Sequence, residues 1–394
     1  MIKNYIKGIG MMLGITIGAG IFALPYSFAK AGLFWGMVHF FVAFLMVLLL
    51  NALYGQVSYY TSGRHRLTGY AEIYIGKWAK YFSLLTTMAS FYGSLLAYGL
   101  LGGLFAANLF SLRLFGMSSG VTFSLLFFTF GGLLVYLKMS KVAEINFYLS
   151  LPFFGFLVYL IIAALPHINF SHLFGNIDYS FNSSWFLPFG VWFFAITGFS
   201  GIPEVRDVVN GSSVNVLKRV VNISMALAAV SYLLFVFSVW GSGNSGTTQD
   251  ALSGIEKVLG HRAFIVGSIM GLLAVFNSFL VLAVDTRNVY RLDFGVARPI
   301  AWLLAILPPI ALFLAGIKDF VKVIDVIGVL GLGSTGTLII LMSYGLKKKI
   351  KAGDTALISL PAPGEKIGTN NIFVLLVFLG IFASVAYELF KIFG

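Results

Sequence analysis

The segment from Gly8 to Gly32, GIGMMLGITIGAGIFALPYSFAKAG, is apolar enough to cross a lipid bilayer but is a poor continuous helix. Five glycines fall between Gly8 and Gly20, and Pro25 follows them. A glycine inside a helix costs about 1 kcal/mol relative to alanine, and a proline costs about 3 kcal/mol. Backbone groups freed by such breaks must find partners inside the protein, because hydrocarbon offers none. The pattern therefore predicts that residues 16–20 are unwound and line a binding cavity near the membrane midplane.

The whole chain has the composition of a protein with many membrane spans. Hydrophobic residues make up 59% of the 394 residues and charged residues only 10%, which is unlike any soluble domain. The absence of cysteine excludes disulfides, thiolate zinc sites and thiol catalysis. Apolar runs of about 20 residues predict eleven spans, at residues 8–30, 33–57, 81–110, 117–137, 145–165, 185–208, 216–240, 262–286, 299–317, 322–346 and 371–391.

The net charge of +12 is explained by membrane topology rather than by a nucleic-acid partner. If the N-terminus lies in the cytoplasm, 19 of the 26 Lys and Arg residues fall in cytoplasmic loops and 7 fall outside. Cytoplasmic loops of membrane proteins carry this excess of positive charge. The sequence therefore predicts a multi-pass protein of the cytoplasmic membrane, surrounded by lipid, with a cytoplasmic N-terminus.

A second interrupted span, residues 185–208, repeats the pattern of the first. The motif Ile-Thr-x-x-x-Gly-Ile begins at Ile15 and again at Ile196, 181 positions later, and a proline follows each copy. The second copy lies five spans after the first, an odd offset, so the two copies cross the membrane in opposite directions. Paired interrupted helices in corresponding positions are the best sequence indication of a transporter's binding site. The pattern predicts one transmembrane transporter domain, residues 1–394, with a first repeat at 1–165, an inverted repeat at 185–346 and an additional helix at 371–391.

The chemistry of the two breaks favours a small zwitterion. A helix that restarts after a break presents unpaired amide groups and the positive end of its dipole. Gly18, Ala19 and Gly20 place no large side chain over these amides, so a carboxylate can bind there as anions bind at helix N-termini. An ammonium group can then donate to carbonyl groups of the second break, at Phe194, Ala195, Thr197 and Gly198.

Two alternatives stay open for these residues. The glycines could serve only to let membrane helices pack closely, as small residues do. The hydroxyl groups of Thr16, Thr197 and Ser200 lie near the predicted site, but each could instead bond to the backbone of its own helix. Phe194 and Phe199 could shape a pocket for the substrate side chain or could simply pack in the core or against lipid.

The run from Gly18 to Phe28, GAGIFALPYSF, resembles the first-helix signature of the amino acid/auxin permease family. The chain is also similar to the bacterial aromatic amino acid permeases, and both belong to the amino acid–polyamine–organocation superfamily with the LeuT fold. The segment Pro203-Glu204-Val205 resembles the sixth-helix motif, and Gly93-x-x-x-x-Tyr98 resembles part of the third helix. The resemblance implies an all-α integral membrane protein with a LeuT-type 5+5 inverted repeat, broken helices 1 and 6 and an eleventh transmembrane helix.

The same resemblance implies roles for further residues. Tyr98 is expected beside the substrate carboxylate. LeuT-fold sodium transporters hold Na⁺ between helices 1 and 8, and carrying that motif over gives the predicted ion ligands Gly14, Ile17, Ala274, Asn277 and Ser278. Asn277 stands where these transporters have threonine, so the coupling ion is left open between Na⁺ and H⁺. The predicted substrate contacts are Thr16, Gly18, Ala19, Gly20, Ile21, Tyr98, Phe194, Thr197, Gly198 and Ser200.

The sequence thus predicts a symporter that moves a neutral amino acid, including an aromatic one, by alternating access with Na⁺ or H⁺. The alternatives are an amino acid sensor built on a transporter fold and an uncoupled amino acid exchanger. An enzyme is disfavoured, because the Gly-x-Ser-x-Gly, His-Glu-x-x-His and Walker motifs are absent. No cofactor is predicted apart from Na⁺ as a coupling ion.

Ionisable residues within membrane spans are functional candidates by default. Glu204, Asp285 and Asp325 lie near the ends of their predicted spans, where salt bridges are the favoured interpretation. His39 lies deeper, in the second span, where a hydrogen bond to a neighbouring helix is favoured over a proton relay.

Overall fold

The computed structural model describes residues 2–63, 65–114, 116–136, 155–174, 177–209, 213–243, 246–354, 358 and 370–393. Within these residues the protein is built of helices and their connections, with a single isolated bridge between Thr61 and Ile358. We call the side on which the first helix begins the N-terminal face, and the other side the opposite face.

The first predicted span is divided between two helices. Helix α1, Ile2–Thr16, ends at the predicted break, and α2, Gly20–Tyr60, begins after three non-helical residues. Helix α2 then contains a sharp kink at Gly32, where φ is +84°. This left-handed backbone conformation favours glycine, and it separates the end of span 1 from the start of span 2.

The remaining helices follow the predicted spans in order. They are α3 Leu67–Tyr74, α4 Lys77–Leu109, α5 Ser119–Val135, α6 Gly155–His167, α7 Phe170–Phe174, α8 Leu187–Ile196, α9 Ile202–Val208, α10 Val214–Gly243, α11 Leu252–Asn288, α12 Arg298–Leu314, α13 Phe320–Val326, α14 Gly333–Lys351 and α15 Asn371–Phe393. Two π-helical segments, Val289–Asp293 and Ile327–Leu332, continue α11 and join α13 to α14.

The predicted span count agrees with these helices. Six continuous helical stretches in the described parts of the chain are long and apolar enough to cross a membrane, and α5, α6 and α12 are shorter apolar helices. Spans 1 and 6 are the interrupted ones, formed by α1 with α2 and by α8 with α9. The first residues of predicted span 5, before Gly155, lie outside the described residues. The all-α fold with broken helices 1 and 6 and an eleventh helix is therefore confirmed.

The two broken spans lie side by side. A Cβ atom placed on Gly20 would lie 2.7 Å from the Cα of Ala195, and one placed on Gly201 would lie 2.8 Å from the Cδ1 of Ile15. Only glycine permits such an approach, because any side chain at Gly20 would overlap the backbone of α8. The approach brings the ends of four half-helices to one place.

Candidate functional site

The first break spans the residues between α1 and α2. The amide of Ile17 still donates to the carbonyl of Leu13 at 2.8 Å, which completes α1. Helical bonding resumes with tighter turns, since Ile21 donates to Gly18 at 3.4 Å and Phe22 donates to Ala19 at 3.1 Å. The first amides of α2 therefore have no preceding helical turn to bond, and the positive end of its dipole points into the break.

The second break lies between α8 and α9. Thr197 has an extended conformation, and a 3₁₀ turn at Phe199–Gly201 leads into α9. The Gly201 amide donates to the Gly198 carbonyl at 3.0 Å. The hydroxyl of Thr197 donates to the carbonyl of Phe193. This side chain therefore bonds the backbone of its own helix, which is one of the two alternatives that the sequence left open.

Tyr232 of α10 connects the two breaks. Its hydroxyl lies 2.8 Å from the carbonyl oxygen of Thr16 and 2.9 Å from that of Ala195, and its side chain is fully buried. These carbonyls are among the backbone groups left without helical partners at the breaks, and such groups must be satisfied inside the protein. Sequence reasoning missed Tyr232, because the buried stripe of α10 looks like ordinary helix packing.

A cavity of about 150 Å³ opens between the breaks and extends toward the N-terminal face. Nine of the predicted site residues line it: Gly14, Thr16, Gly18, Gly20, Tyr98, Phe194, Thr197, Ser200 and Ser278. The other predicted site residues are buried without lining the cavity: Ile17, Ala19, Ile21, Gly198, Ala274 and Asn277. Phe199, which the sequence indicated as a candidate for the pocket wall, also lines the cavity, and the lining residues that the sequence did not indicate include Phe91 and the hydroxyl-bearing Thr87, Ser90 and Ser94.

Gly18 faces polar groups from two other helices. A Cβ atom placed on Gly18 would lie 2.9 Å from the Oγ of Ser278 and 3.5 Å from the hydroxyl oxygen of Tyr98. The hydroxyl of Ser278 donates to the carbonyl of Ala274 at 3.1 Å. Helices α4 and α11 thus bring their predicted residues to the first break, where Tyr98 was expected.

Thr16 adds an unsatisfied group to the same place. Its Oγ1 atom is buried and has no hydrogen-bond partner within the described structure. It faces the second break, since a Cβ atom placed on Gly198 would lie 2.8 Å from it. A buried hydroxyl without a partner is costly, so a ligand that bonds Thr16 would relieve this cost.

The floor of the cavity toward the N-terminal face is closed by ion pairs of Arg66. This residue, in the connection between α2 and α3, bonds the carboxylate of Glu204 on α9, and its Nε lies 3.4 Å from Oδ1 of Asp285 on α11. Burial lowers the pKa of the guanidinium, but the two carboxylates outweigh this effect and raise the pKa, so Arg66 stays charged. Salt bridges at these two acids agree with the prediction, but their partner comes from a loop that sequence reasoning did not single out.

Transport is the activity that the sequence predicts, and we expect Arg66→Gln to lower its rate at least tenfold, because the substitution leaves two partly buried carboxylates without their cation. Adding Glu204→Gln should recover part of the loss, since it removes one of the stranded charges. The measurement is the initial rate of uptake at equal protein level, for Arg66→Gln, for the double variant with Glu204→Gln, and for a control variant. Lys349→Gln is the control, because it breaks an exposed ion pair with Asp354, and it should leave the rate unchanged.

A sequence profile of the tryptophan/tyrosine permease family matches residues 1–385. The chain belongs to the tryptophan/tyrosine permease family. The resemblance to aromatic amino acid permeases is thus supported, while membership of the amino acid/auxin permease family stays a prediction. A search of curated proteins found no match for the permease.

Three solved structures illustrate what the permease is similar to. Mhp1, a nucleobase-cation-symport-1 family transporter with bromovinylhydantoin bound, superimposes with a TM-score of 0.67 at 12% identity, over 96% of the permease and 90% of Mhp1. MhsT in complex with L-phenylalanine superimposes with a TM-score of 0.63 at 15% identity, over 96% of the permease and 98% of MhsT. A manganese transporter of Eremococcus coleocola superimposes with a TM-score of 0.62 at 15% identity, over 98% of the permease and 87% of that transporter.

These likenesses establish the fold, and the family establishes the general activity. The permease has the LeuT-type fold of Mhp1 and MhsT. It is a multi-pass membrane protein and a secondary transporter rather than an enzyme.

Proposed function

We propose that the permease is a symporter that carries an aromatic amino acid across the cytoplasmic membrane by alternating access, with its N-terminal face in the cytoplasm. The observation that carries the proposal is the cavity between the two breaks, which combines unpaired helix ends, a free hydroxyl and aromatic walls. The name of the family supports tryptophan or tyrosine as the substrate. In the described parts of the chain, no group of three His, Asp or Glu side chains is placed to hold a metal ion, which favours an organic substrate.

The two charged groups of the substrate bind at different breaks. The carboxylate accepts bonds from the amides of Gly18, Ala19 and Gly20, where the dipole of α2 favours an anion. The hydroxyls of Thr16 and Tyr98 add donors on either side of it. The ammonium group donates to carbonyls of the second break, at Phe194, Thr197 and Gly198, with Ser200 nearby.

The substrate side chain packs against aromatic rings. Phe194 and Phe199 line the cavity from the second break, and Phe91 lines it from α4. Aromatic pairs add about 0.5–1.5 kcal/mol beyond the burial of their area, which favours an aromatic substrate over an aliphatic one. The charged residues that line the cavity are Arg66, Glu204 and Asp285. Because Arg66 is already paired with both acids, an acidic substrate side chain finds no unpaired cation there.

The coupling ion is Na⁺ or H⁺. For Na⁺, the proposed ligands are the carbonyls of Gly14, Ile17 and Ala274 with the side-chain oxygens of Asn277 and Ser278. Oxygen ligands suit a hard cation, and Ser278 lies directly beside the first break at Gly18. An ion there would bridge α1 and α11, and so would couple the first broken span to span 8.

The ion pairs of Arg66 support alternating access as the mechanism. They join α9, which belongs to a broken span, to α11, which flanks the breaks. We propose that spans 1, 2, 6 and 7 rock against a scaffold that includes spans 3, 4, 8 and 9. Opening toward the cytoplasm then separates Glu204 from Asp285.

The carboxylate site is tested by Gly18→Ala. The added methyl group would lie 2.9 Å from Ser278 Oγ and near Tyr98, inside the space proposed for the carboxylate. We expect the KM for tryptophan to rise at least tenfold with little change in thermal stability. Gly10→Ala is the matched control, because a Cβ on Gly10 meets nothing within 4 Å. An unchanged KM for Gly18→Ala would refute the carboxylate site.

The activity itself is tested with purified protein in liposomes. Radiolabelled tryptophan and tyrosine are supplied while a sodium gradient and a pH gradient are imposed separately. Accumulation against a concentration gradient supports the symporter. Exchange without accumulation supports an uncoupled exchanger, and binding without flux supports a sensor.

A further inference from the structure

A second buried polar cluster lies near the opposite face, away from the cavity. Asp325 of α13 and Glu388 of α15 are each only 1% exposed. The Nζ atom of Lys391 lies 2.8 Å from Asp325 Oδ2, and 3.2 and 3.3 Å from the two carboxylate oxygens of Glu388. The side chain of Lys391 is 40% exposed, so the cluster reaches the surface through this residue.

The charges in this cluster do not balance. Two carboxylates share one ammonium group, which leaves one negative charge in a buried site when both acids are ionised. Membrane proteins avoid such uncompensated charge. The Oδ1 atom of Asp325 is buried and has no hydrogen-bond partner in the described structure. A proton on this atom would make the cluster neutral and leave the Lys391 pair with Glu388 intact.

Few other charged groups face the cluster. Helix α8 and the π segment Ile327–Leu332 carry no ionisable residue. The charged residues of α4, Lys77 and Lys80, lie at its other end. On α13 and just before it, Lys322 and Asp319 are exposed to solvent.

Two aromatic groups complete the surroundings of the cluster. Tyr387 of α15 accepts a hydrogen bond from the indole of Trp185 at 3.0 Å. His39 of α2 packs against the rings of Trp185, Phe186 and Phe189, next to the start of α8. Within the described residues, His39 thus contacts aromatic rings, and no hydrogen bond or ion pair joins it to the acids.

The cluster touches the helix that forms half of the substrate site. A Cβ atom placed on Gly190 of α8 would lie 2.2 Å from Asp325 Oδ1 and 2.6 Å from the Asp325 carbonyl oxygen. One placed on Gly328 would lie 2.0 Å from the carbonyl oxygen of Gly190. About one turn further along α8, Phe194 lines the cavity and Ala195 packs on Gly20. Movement of α8 must therefore change the surroundings of Asp325.

We propose that Asp325, Glu388 and Lys391 form a proton-binding site, open to the outer solution through Lys391, whose occupancy sets the position of α8. The proposal rests on the transport function proposed above. With one proton bound the cluster is neutral and suits the tight contact of α8 with α13. Without the proton, the uncompensated charge favours a displaced α8 that admits water. Acid outside the membrane thus favours the state in which the opposite face is closed.

The test compares pH profiles of tryptophan exchange between pH 5 and 8. For the unmodified permease we expect a change of at least fivefold across this range. Asp325→Asn, which is neutral at every pH, should give a flat profile that resembles the unmodified permease at pH 5, and so should Glu388→Gln. Asp319→Asn, at the N-cap of the same helix, is the matched control, and it should keep the normal profile. A normal profile for Asp325→Asn would overturn the proposal.

A second measurement does not depend on transport. Protonation that stabilises the folded protein makes its Tm depend on pH. The Tm of the unmodified permease should fall from pH 5 to pH 8 more steeply than that of Asp325→Asn, and equal slopes would contradict the proton site. If the unmodified permease neither binds nor exchanges aromatic amino acids, the proposed function fails, and the Tm comparison still decides on the cluster.

Discussion

Tyr232→Phe is expected to lower the rate of tryptophan uptake at least tenfold and to reduce the thermal stability of the permease. The substitution keeps the buried ring and removes only the hydroxyl group that bonds the carbonyls of Thr16 and Ala195. A buried polar group left without a partner costs about 1–3 kcal/mol. The substitution removes a hydrogen-bond partner from a carbonyl at each break. It should therefore disturb the geometry of the proposed substrate site as well as lower the stability.

The measurements are initial uptake rates in liposomes and thermal unfolding in detergent. Tyr81→Phe is the control, because Tyr81 is 64% exposed, and it should change neither quantity. Normal stability and normal uptake for Tyr232→Phe would show that the two carbonyls find other partners, and would remove Tyr232 from the site.

Gly20→Val is expected to abolish uptake, with a reduction of at least a hundredfold. Its Cβ atom would lie 2.7 Å from the Cα of Ala195 and 3.1 Å from Cδ1 of Phe194. A backbone atom cannot yield as the end of a flexible side chain can, so α2 and α8 must move apart. Overpacking of this kind costs about 1–3 kcal/mol, and it also opens the gap between the two breaks.

Gly10→Val supplies the comparison within the same broken span. A Cβ on Gly10 has open space around it, so this variant should transport normally even though it carries the same substitution. If Gly20→Val retained uptake, the side-by-side arrangement of the two breaks would have to be wrong. If both variants lost uptake equally, the loss would reflect helix propensity rather than contact with α8.

The fold could be predicted from the sequence because membrane spans obey local rules. An apolar run long enough to cross hydrocarbon must be helical there, and the glycine-rich motifs starting at Ile15 and Ile196 marked the two spans that break this rule. The repeat of this motif in two oppositely directed spans indicated the inverted architecture. Helix ends were less predictable, because loops such as the one before α3 are set by tertiary contacts.

Part of the site could be predicted for the same reason. The breaks placed Thr16, Gly18 and Thr197 at the cavity, and the family motif placed Tyr98 beside Gly18. The sequence left open whether the glycines bind or pack, and Gly18 and Gly20 have different neighbours in the structure. Gly20 packs directly on α8, whereas Gly18 faces the hydroxyls of Ser278 and Tyr98.

The rest of the site depends on partners that are distant in the sequence. Arg66 reaches Glu204 across 138 positions, and Tyr232 reaches Thr16 across 216. Nothing in the local pattern around Arg66 or Tyr232 indicates which residues they meet, because the contacts exist only after the helices have packed. The pairing of Asp325 with Lys391 likewise required the eleventh helix to be in place.

The π-helical segment Ile327–Leu332 has a consequence for how span 10 could respond to motion. A π turn contains one more residue than an α turn, and such turns are rare and frequently lie at functional sites. Here the surplus residue sits between Asp325 and the cavity-lining Leu332 and Thr335. Converting the segment to regular α-helix would turn everything beyond it by about 100° and advance it by about 1.5 Å. Span 10 can therefore change its rotation and its rise at this segment without breaking the helix.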